Sequence, residues 1–280
     1  MSTTNKLTLI IPDLHHRWQQ AEKIISVVGA DEVVFLGDFF DDFDDTSEMV
    51  KDTCDWLISS VNKPNRIHLM GNHESPYCHP YYRVMGCSGH DDWKQAIIDD
   101  NISRSTWDRV KWYHILDNMW LLSHAGLHKR HIPESIYKLY SDRETFYKSL
   151  GEYLDNSLAE GLREAANNIS TWIFSAGYYR GGNAPIGGIT WCDFTGEFVP
   201  TKGLNQIFGH TPGRHGKATW SIIRNEKTNR EIRFLEPHKE PPFQLNNTNQ
   251  SYNLCLDVWK NTHWAIWDGQ QLKIDNYSSL

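Results

Sequence analysis

From residue 7 to residue 70, short apolar runs alternate with amphipathic ones, which leaves few architectures open. Leu7-Thr-Leu-Ile-Ile11, Val33-Val-Phe-Leu36 and Arg66-Ile-His-Leu-Met70 are strand-length runs. Between the first two, Trp18, Ala21, Ile24, Ile25 and Val28 recur at helical spacing until Gly29 stops the helix. A second helix is expected from Ser47 to Val61, with Pro64 as the break after it. Strands that are apolar throughout must be covered on both faces. The order strand–helix–strand–helix–strand therefore predicts βαβ units in an α/β fold.

The remainder is less regular. A helix is expected near Asp91–Asp100, a strand at Met119–Ser123, and mainly helix from Pro133 to about Ser175, with Gly151 and Gly161 as possible breaks. A glycine-rich loop follows from Gly177 to Gly188. Strands are expected at Leu204–Phe208, Thr219–Arg224, Glu231–Leu235, Tyr252–Val258, His263–Trp267 and Leu272–Ile274, with Glu236–Gln250 as a loop. With no repeat or linker, the 280 residues read as one domain, long enough to bury a core without staples.

Charge and cysteine usage narrow the function classes. Against 28 Lys+Arg stand 35 Asp+Glu, a net charge of −7, and no basic cluster is present. This argues against a nuclease groove or any extended nucleic-acid surface. The five cysteines form no CxxC pair, so a reducing compartment is expected. The apolar run at residues 7–11 is too short for a signal-peptide core or a membrane span, and the expected location is cytoplasmic.

Five clusters follow expected strands: Asp13-Leu-His15, Gly37-Asp38-Phe-Phe-Asp41, Gly71-Asn-His-Glu74, Ser123-His-Ala-Gly126 and Gly209-His-Thr-Pro212. Singly, each reads as a turn, a helix cap or an ordinary histidine. Together they are harder to dismiss, because ligand crevices of open α/β sheets lie at the carboxyl ends of the strands. Their pooled oxygen and imidazole donors suit Mn, Fe or Zn rather than Ca. The neighbouring glycines would allow tight turns there.

This ordered set resembles the calcineurin-like metallophosphoesterase superfamily from residue 7 to about 210. The closest likeness is to the branch of protein Ser/Thr phosphatases, bacteriophage phosphatases and symmetrical dinucleoside tetraphosphatases. Ile189-Thr-Trp-Cys-Asp193, Asn253-Leu-Cys-Leu-Asp257 and Trp264-Ala-Ile-Trp267 are similar to further segments of that branch. The resemblance implies a four-layer α/β/β/α sandwich of two mixed β-sheets flanked by helices. It would be a single domain over 1–280, with a mainly helical insertion at about 127–176. It also implies two metal ions, Asp13 and His15 holding the first, Asp38 bridging, and Asn72, His124 and His210 completing the second. A bound hydroxide would attack phosphorus in line while His73, oriented by Asp41, protonates the leaving group. A phosphomonoesterase acting on phosphoprotein is the first expectation and a dinucleoside polyphosphate or other nucleotide hydrolase the alternative. A phosphodiesterase or nuclease and a non-catalytic scaffold rank lower. All six ligands and His73 are present, which weighs against the scaffold.

The sequence departs from the family pattern in two places. Arg-Gly normally follows Gly-Asp-x-x-Asp, its arginine binding phosphate, but here Asp42-Phe-Asp-Asp45 follows. That run reads either as a solvated turn or as an acidic rim that disfavours highly anionic substrates or attracts a basic peptide. Arg83, Arg130, Arg180 and Arg214 are candidate replacements for the arginine, Arg180 first because of its glycine-rich loop. His16 stands where the family has Gly and is expected at the surface, with crowding of the site or substrate contact as the functional reading. Trp191, in a motif-like loop, would border the site, whereas Trp56, Trp112 and Trp172 are expected in the core. His79, His90, His128 and His131 could support the ligands but are expected to be ordinary packing or surface residues, and His68 and His114 structural ones.

Overall fold

The computed structural model describes residues 6–213, 218–223, 231–235, 248, 250–258 and 263–277. Its first sheet pairs β1 (Thr8–Ile11), β2 (Glu32–Phe35), β3 (Arg66–Leu69) and β4 (Val110–Lys111) in parallel. Antiparallel β11 (His263–Trp267) and β12 (Leu272–Asn276) extend it beyond β1. The second sheet runs in the order β5 (Tyr113–Leu116), β6 (Trp120–Ser123), β7 (Gln206–Phe208), β10 (Ser251–Cys255), β8 (Thr219–Ile223) and β9 (Glu231–Leu235). There β6, β7 and β10 are parallel and the outer pairings antiparallel, so both sheets are mixed.

The two-residue period of a strand sends alternate side chains to opposite faces. In β1, Leu9 and Ile11 join the core beneath α1 (Trp18–Val28) and α2 (Ser47–Val61), while Ile10 faces the second sheet. In β2, Val33 and Phe35 lie outward and Val34 inward. On the other sheet Trp120 and Leu122 turn inward, whereas Leu121 packs outward with Phe146, Leu150 and Leu154 of α7 (Arg143–Ala165). These alternations build a four-layer α/β/β/α sandwich of two mixed sheets. Among the described residues no helix is long and apolar enough to cross a membrane.

Local chemistry sets boundaries of the helices, which also include the short α3 (Glu74–Cys78), α4 (Asp92–Asn101) and α5 (Arg104–Trp107). Thr46 caps α2 by accepting from the Met49 N–H at 3.2 Å, and Gly29 ends α1 at φ 62°. The long helical segment differs from its sequence reading. Here α6 (Glu134–Tyr137) precedes α7, which runs without a break through Gly151 and Gly161. A Cβ on Gly161 would lie 2.6 Å from Ile173 Cγ2, so that glycine allows close packing rather than ending a helix. The two-residue strand β4 also escaped the sequence reading. The expected loop at 236–250 falls almost wholly outside the described residues.

Candidate metal centre

The motif residues follow the carboxyl ends of β1, β2, β3, β6 and β7, and both sheets open towards them. Asp38, at the first turn after β2, faces both ways: its Oδ1 lies 3.4 Å from His124 Nε2 and its Oδ2 lies 3.8 Å from His15 Nε2. Potential ligand atoms of Asp13, His15 and Asp38 lie within 4.8 Å of one another, as do those of Asp38, His124 and His210. Asn72 joins the second group, with its Oδ1 2.8 Å from His124 Nε2.

Two glycines leave room for the carboxylates. A Cβ on Gly71 would lie 2.1 Å from Asp38 Oδ1, and one on Gly209 would lie 2.0 Å from Asp13 Oδ1. The sequence reading attributed these glycines to tight turns, but close approach is what requires them, since neither has a positive φ. The backbone is instead left-handed at non-glycine site residues: His15 (φ 44°), Asp38 (φ 48°), Asp41 (φ 66°) and His210 (φ 66°). Such conformations cost about 1–3 kcal/mol each and persist where the surroundings enforce them. One such enforcing group is Glu74, whose buried carboxylate accepts from the backbone N–H groups of Asp38, Phe39, Phe40 and Gly71.

The donor set fits metal ions. His124 Nδ1 donates to the Leu36 carbonyl at 2.9 Å, so in the neutral ring Nε2 carries a lone pair. That lone pair meets Asn72 Oδ1, His210 Nδ1 at 3.2 Å and Asp38 Oδ1. The Asn72 amide is held in this sense by Nδ2 donating to Cys87 Sγ at 3.0 Å. Acceptors converging without a proton repel unless a cation lies among them. Burial opposes the imidazolium, but Asp38 and Asp13 lift the His124 pKa to about 9. Burial, then Arg180 and His124, hold His210 well below its ordinary value and keep it neutral. His15 Nδ1 likewise donates to the Asp41 carbonyl at 2.5 Å, which turns Nε2 inward. Burial, with Asp38 adding to it against the pull of His124, pushes Asp13 up to about 6.

Beside this centre, His73 Nδ1 lies 2.9 Å from Asp41 Oδ2 and Nε2 lies 4.0 Å from Asp38 Oδ2. Burial opposes protonation of His73, but Asp38 and the Asp41 hydrogen bond outweigh it and raise the pKa well above the usual range. Arg180 Nη2 donates to the His210 carbonyl at 3.1 Å and to Thr211 Oγ1 at 2.9 Å, and Nε lies 2.9 Å from Asp193 Oδ2. Trp191 packs edge-on to His210 with ring centroids 5.8 Å apart.

Other sequence-selected residues lie elsewhere. His16 is buried, not at the surface: Nδ1 lies 2.8 Å from Thr53 Oγ1 and Nε2 3.1 Å from Asp45 Oδ1. The acidic run divides: Asp42, Phe43 and Asp44 form an exposed turn, with Asp42 paired to Arg17 at 3.0 Å, whereas Asp45 turns inward with Asp41 and both are bound by Lys94. Arg83 and Arg130 are exposed, and Arg214 and His215 lie outside the described residues. His79 stacks on Tyr82 and His131 on Trp172, while His90 meets Gln95 at 3.0 Å and packs against Tyr77 with ring centroids 4.9 Å apart. Glu74, Tyr77, Cys87 and Lys94 were given no role by the sequence reading. Only Glu74 carried a signal, as the fourth residue of Gly71-Asn-His-Glu. Asp257, quoted from a later segment, is buried, and its pKa is raised first by burial and then by Asp13.

No curated protein matches the chain. Among solved structures it is similar to a provisionally assigned diadenosine tetraphosphatase at 13% identity, covering 99% of this chain and 96% of that one, with a TM-score of 0.44. A metallophosphoesterase from Sphaerobacter thermophilus matches at 13% identity, 97% and 88% coverage and a TM-score of 0.40. A protein serine/threonine phosphatase from Saccharomyces cerevisiae, with similarity to human phosphatase PP5, matches at 12% identity, 98% and 80% coverage and a TM-score of 0.46. The calcineurin-like phosphoesterase family model matches residues 7–265. The chain therefore belongs to the calcineurin-like phosphoesterase family and is a metal-dependent hydrolase of phosphoric esters.

Proposed function

We propose that the protein is a phosphomonoesterase, with a phosphorylated protein side chain as the first candidate substrate. The observation that carries this reading is the His73–Asp41 pair at 2.9 Å, set against the convergent donors Asp13, His15, Asp38, Asn72, His124 and His210. Asp13, His15 and Asp38 would hold one metal ion, and Asp38, Asn72, His124 and His210 a second. When bound, the ions supply Lewis acidity to the attacking water and to the phosphoryl oxygens. Asn72 and neutral His210 bind without adding negative charge that would repel a phosphate.

His73 holds its proton at Nε2 and gives it to the leaving oxygen, while Asp41 keeps Nδ1 engaged so that the ring does not turn. Arg180 would take the part of the missing motif arginine. Thr211, the His210 carbonyl and Asp193 orient its guanidinium, and Nη1 has no hydrogen bond among the described residues. Trp191 would form the wall beside it.

A nucleotide substrate is the second reading. A pocket of about 470 Å³ lined by His15, His16, Arg17, Gln20, Asp42, Met49 and Tyr277 favours it, since that is the size of a small-molecule site. The test is a panel of Mn, Fe, Zn and Ni against p-nitrophenyl phosphate, its bis-ester, a phosphopeptide and a dinucleoside tetraphosphate. Turnover of the monoesters above the others supports the first reading, and preference for the dinucleotide replaces it with the second. No turnover anywhere on the panel overturns both.

A further inference from the structure

Lys94 lies in α4 (Asp92–Asn101), far in sequence from any motif, yet its ammonium reaches the loop after β2. Nζ donates to Asp41 Oδ1 at 2.9 Å, to the Gly89 carbonyl at 2.9 Å, and to the Asp45 carboxylate. Its side chain is only 7% exposed. An ammonium has three protons, and here each has an acceptor. Lys94 is therefore no substitute for the missing phosphate arginine, because it has nothing left to offer a substrate.

Its geometric consequence falls on Asp41. Oδ1 accepts from Lys94 and from the Tyr77 hydroxyl, the latter at 2.7 Å, and Oδ2 accepts from His73 Nδ1. Two donors on one oxygen fix the plane of the carboxylate and thereby the direction in which the other oxygen points. Tyr77 is itself buried, and its hydroxyl lies 3.4 Å from the same Gly89 carbonyl.

We propose that Lys94, with Tyr77, is a positioning residue for His73: it locks the Asp41 carboxylate so that the ring is held by Nδ1 and presents Nε2 to the leaving group. This rests on the phosphomonoesterase reading for its catalytic meaning, but the hydrogen-bond chain is testable without it.

The kinetic arm compares Lys94→Met with the unaltered enzyme on 2,4-dinitrophenyl, p-nitrophenyl and phenyl phosphate at saturating Mn. A leaving group that departs as a stable anion needs no acid. Expected is a loss of about 10- to 100-fold in kcat for phenyl phosphate, the range found for partners that orient metal-ligating side chains, with little change for the dinitrophenyl ester. Adding Lys94→Met to His73→Ala should cost nothing further. An equal loss on all three esters, no loss on any, or full additivity with His73→Ala overturns the proposal.

The second arm is proton NMR of the His73 Nδ1–H, a downfield resonance assigned by its loss in His73→Gln. Lys94→Met and Tyr77→Phe should both shift it, and an unchanged position overturns the proposal whatever the esters show. Should Lys94→Met fail to fold, Lys94→Met/Asp45→Asn removes the unpaired charge along with the ammonium, and Tyr77→Phe tests the other donor alone. An enzyme inactive on every ester refutes the phosphomonoesterase reading, and the NMR arm then decides the fate of Lys94.

Discussion

Two loops flank the centre and show opposite relations between charge and exposure. The loop after β2 carries Asp41, Asp42, Asp44 and Asp45, which by count would form an acidic rim. Two of these four point inward onto Lys94, and the Asp41 and Asp45 side chains are each 3% exposed. The loop at 177–197 is glycine-rich, yet it presents Arg180, 25% exposed, against the backbone of His210. Half of the acidic segment's charge is thus turned inward, while the nearly neutral segment carries a partly exposed cation beside His210. Net charge along a segment says little about the field it projects until each charge has been assigned a partner.

The strongest way to break this comparison is to remove the histidine that Asp41 holds. His73→Ala should retain bound metal and lose about 10²- to 10⁴-fold in kcat, the usual share of a general acid. Steady-state rates with phenyl phosphate, alongside metal content by elemental analysis, decide it. Full activity towards a poor leaving group would leave the inward acidic residues as packing alone.

The opposite loop is probed through Arg180. A hydrogen bond to a charged partner contributes about 1.5–3 kcal/mol, so Arg180→Ala should raise KM by roughly 10- to 100-fold with a smaller change in kcat. Arg180→Lys should recover only part of this, because a point charge cannot reproduce the planar fork. A KM unchanged in both variants would remove the arginine from substrate binding and with it half of the contrast between the loops.

How far these arrangements could be read from sequence depends on how local they are. The strands other than β4, and α2 from Ser47 to Val61, were legible, and the candidate ligands could be picked out, because apolar periodicity, caps and ligand types after strand ends are written in neighbouring residues. His16 was misread because its burial depends on Thr53 and Asp45, contributed by α2 and the loop before it. Gly151 and Gly161 were read as breaks because their partners, Ile115 and Ile173, lie outside the helix. Lys94 was silent for the same reason: its partners, Asp41 and Asp45, are 53 and 49 residues away. Glu74 lay in plain view inside a motif, but the four N–H groups it gathers come from two different strand ends.

The inward acidic residues also make a pH prediction. Burial raises the Asp45 carboxyl, but hydrogen bonds from His16 and Lys94 outweigh it and draw the pKa from 3.8 to about 2. A carboxylate whose folded pKa is depressed contributes stability that is complete above its unfolded value and is lost as pH falls through the folded one. The window here is pH 3.8 to about 2. The contribution is at most about 2 kcal/mol, less after solvent screening at a loop. Asp45→Asn should therefore lower stability at neutral pH and flatten the acid limb in that window, as followed by urea unfolding at stepped pH. An unchanged acid limb would mean that the Lys94–Asp45 contact is not made in solution.

The smallest effect discriminates most finely between the two views of the acidic run. Asp42 and Asp44 are its exposed members, and Asp42 already pairs with Arg17. Exposed pairs contribute about 0–1 kcal/mol, and charges farther apart than about 8 Å are largely screened at physiological ionic strength. Asp42→Ala/Asp44→Ala should then change KM for an anionic monoester by less than about twofold at that salt. Stability should stay within about 0.5 kcal/mol, as for ordinary surface substitutions. A rim that repels anions predicts the reverse: a several-fold fall in KM, larger at low salt than at high. That salt-dependent fall would restore the rim despite the burial of Asp41 and Asp45, whereas a flat response leaves Arg180 as the charge that decides how a phosphate enters.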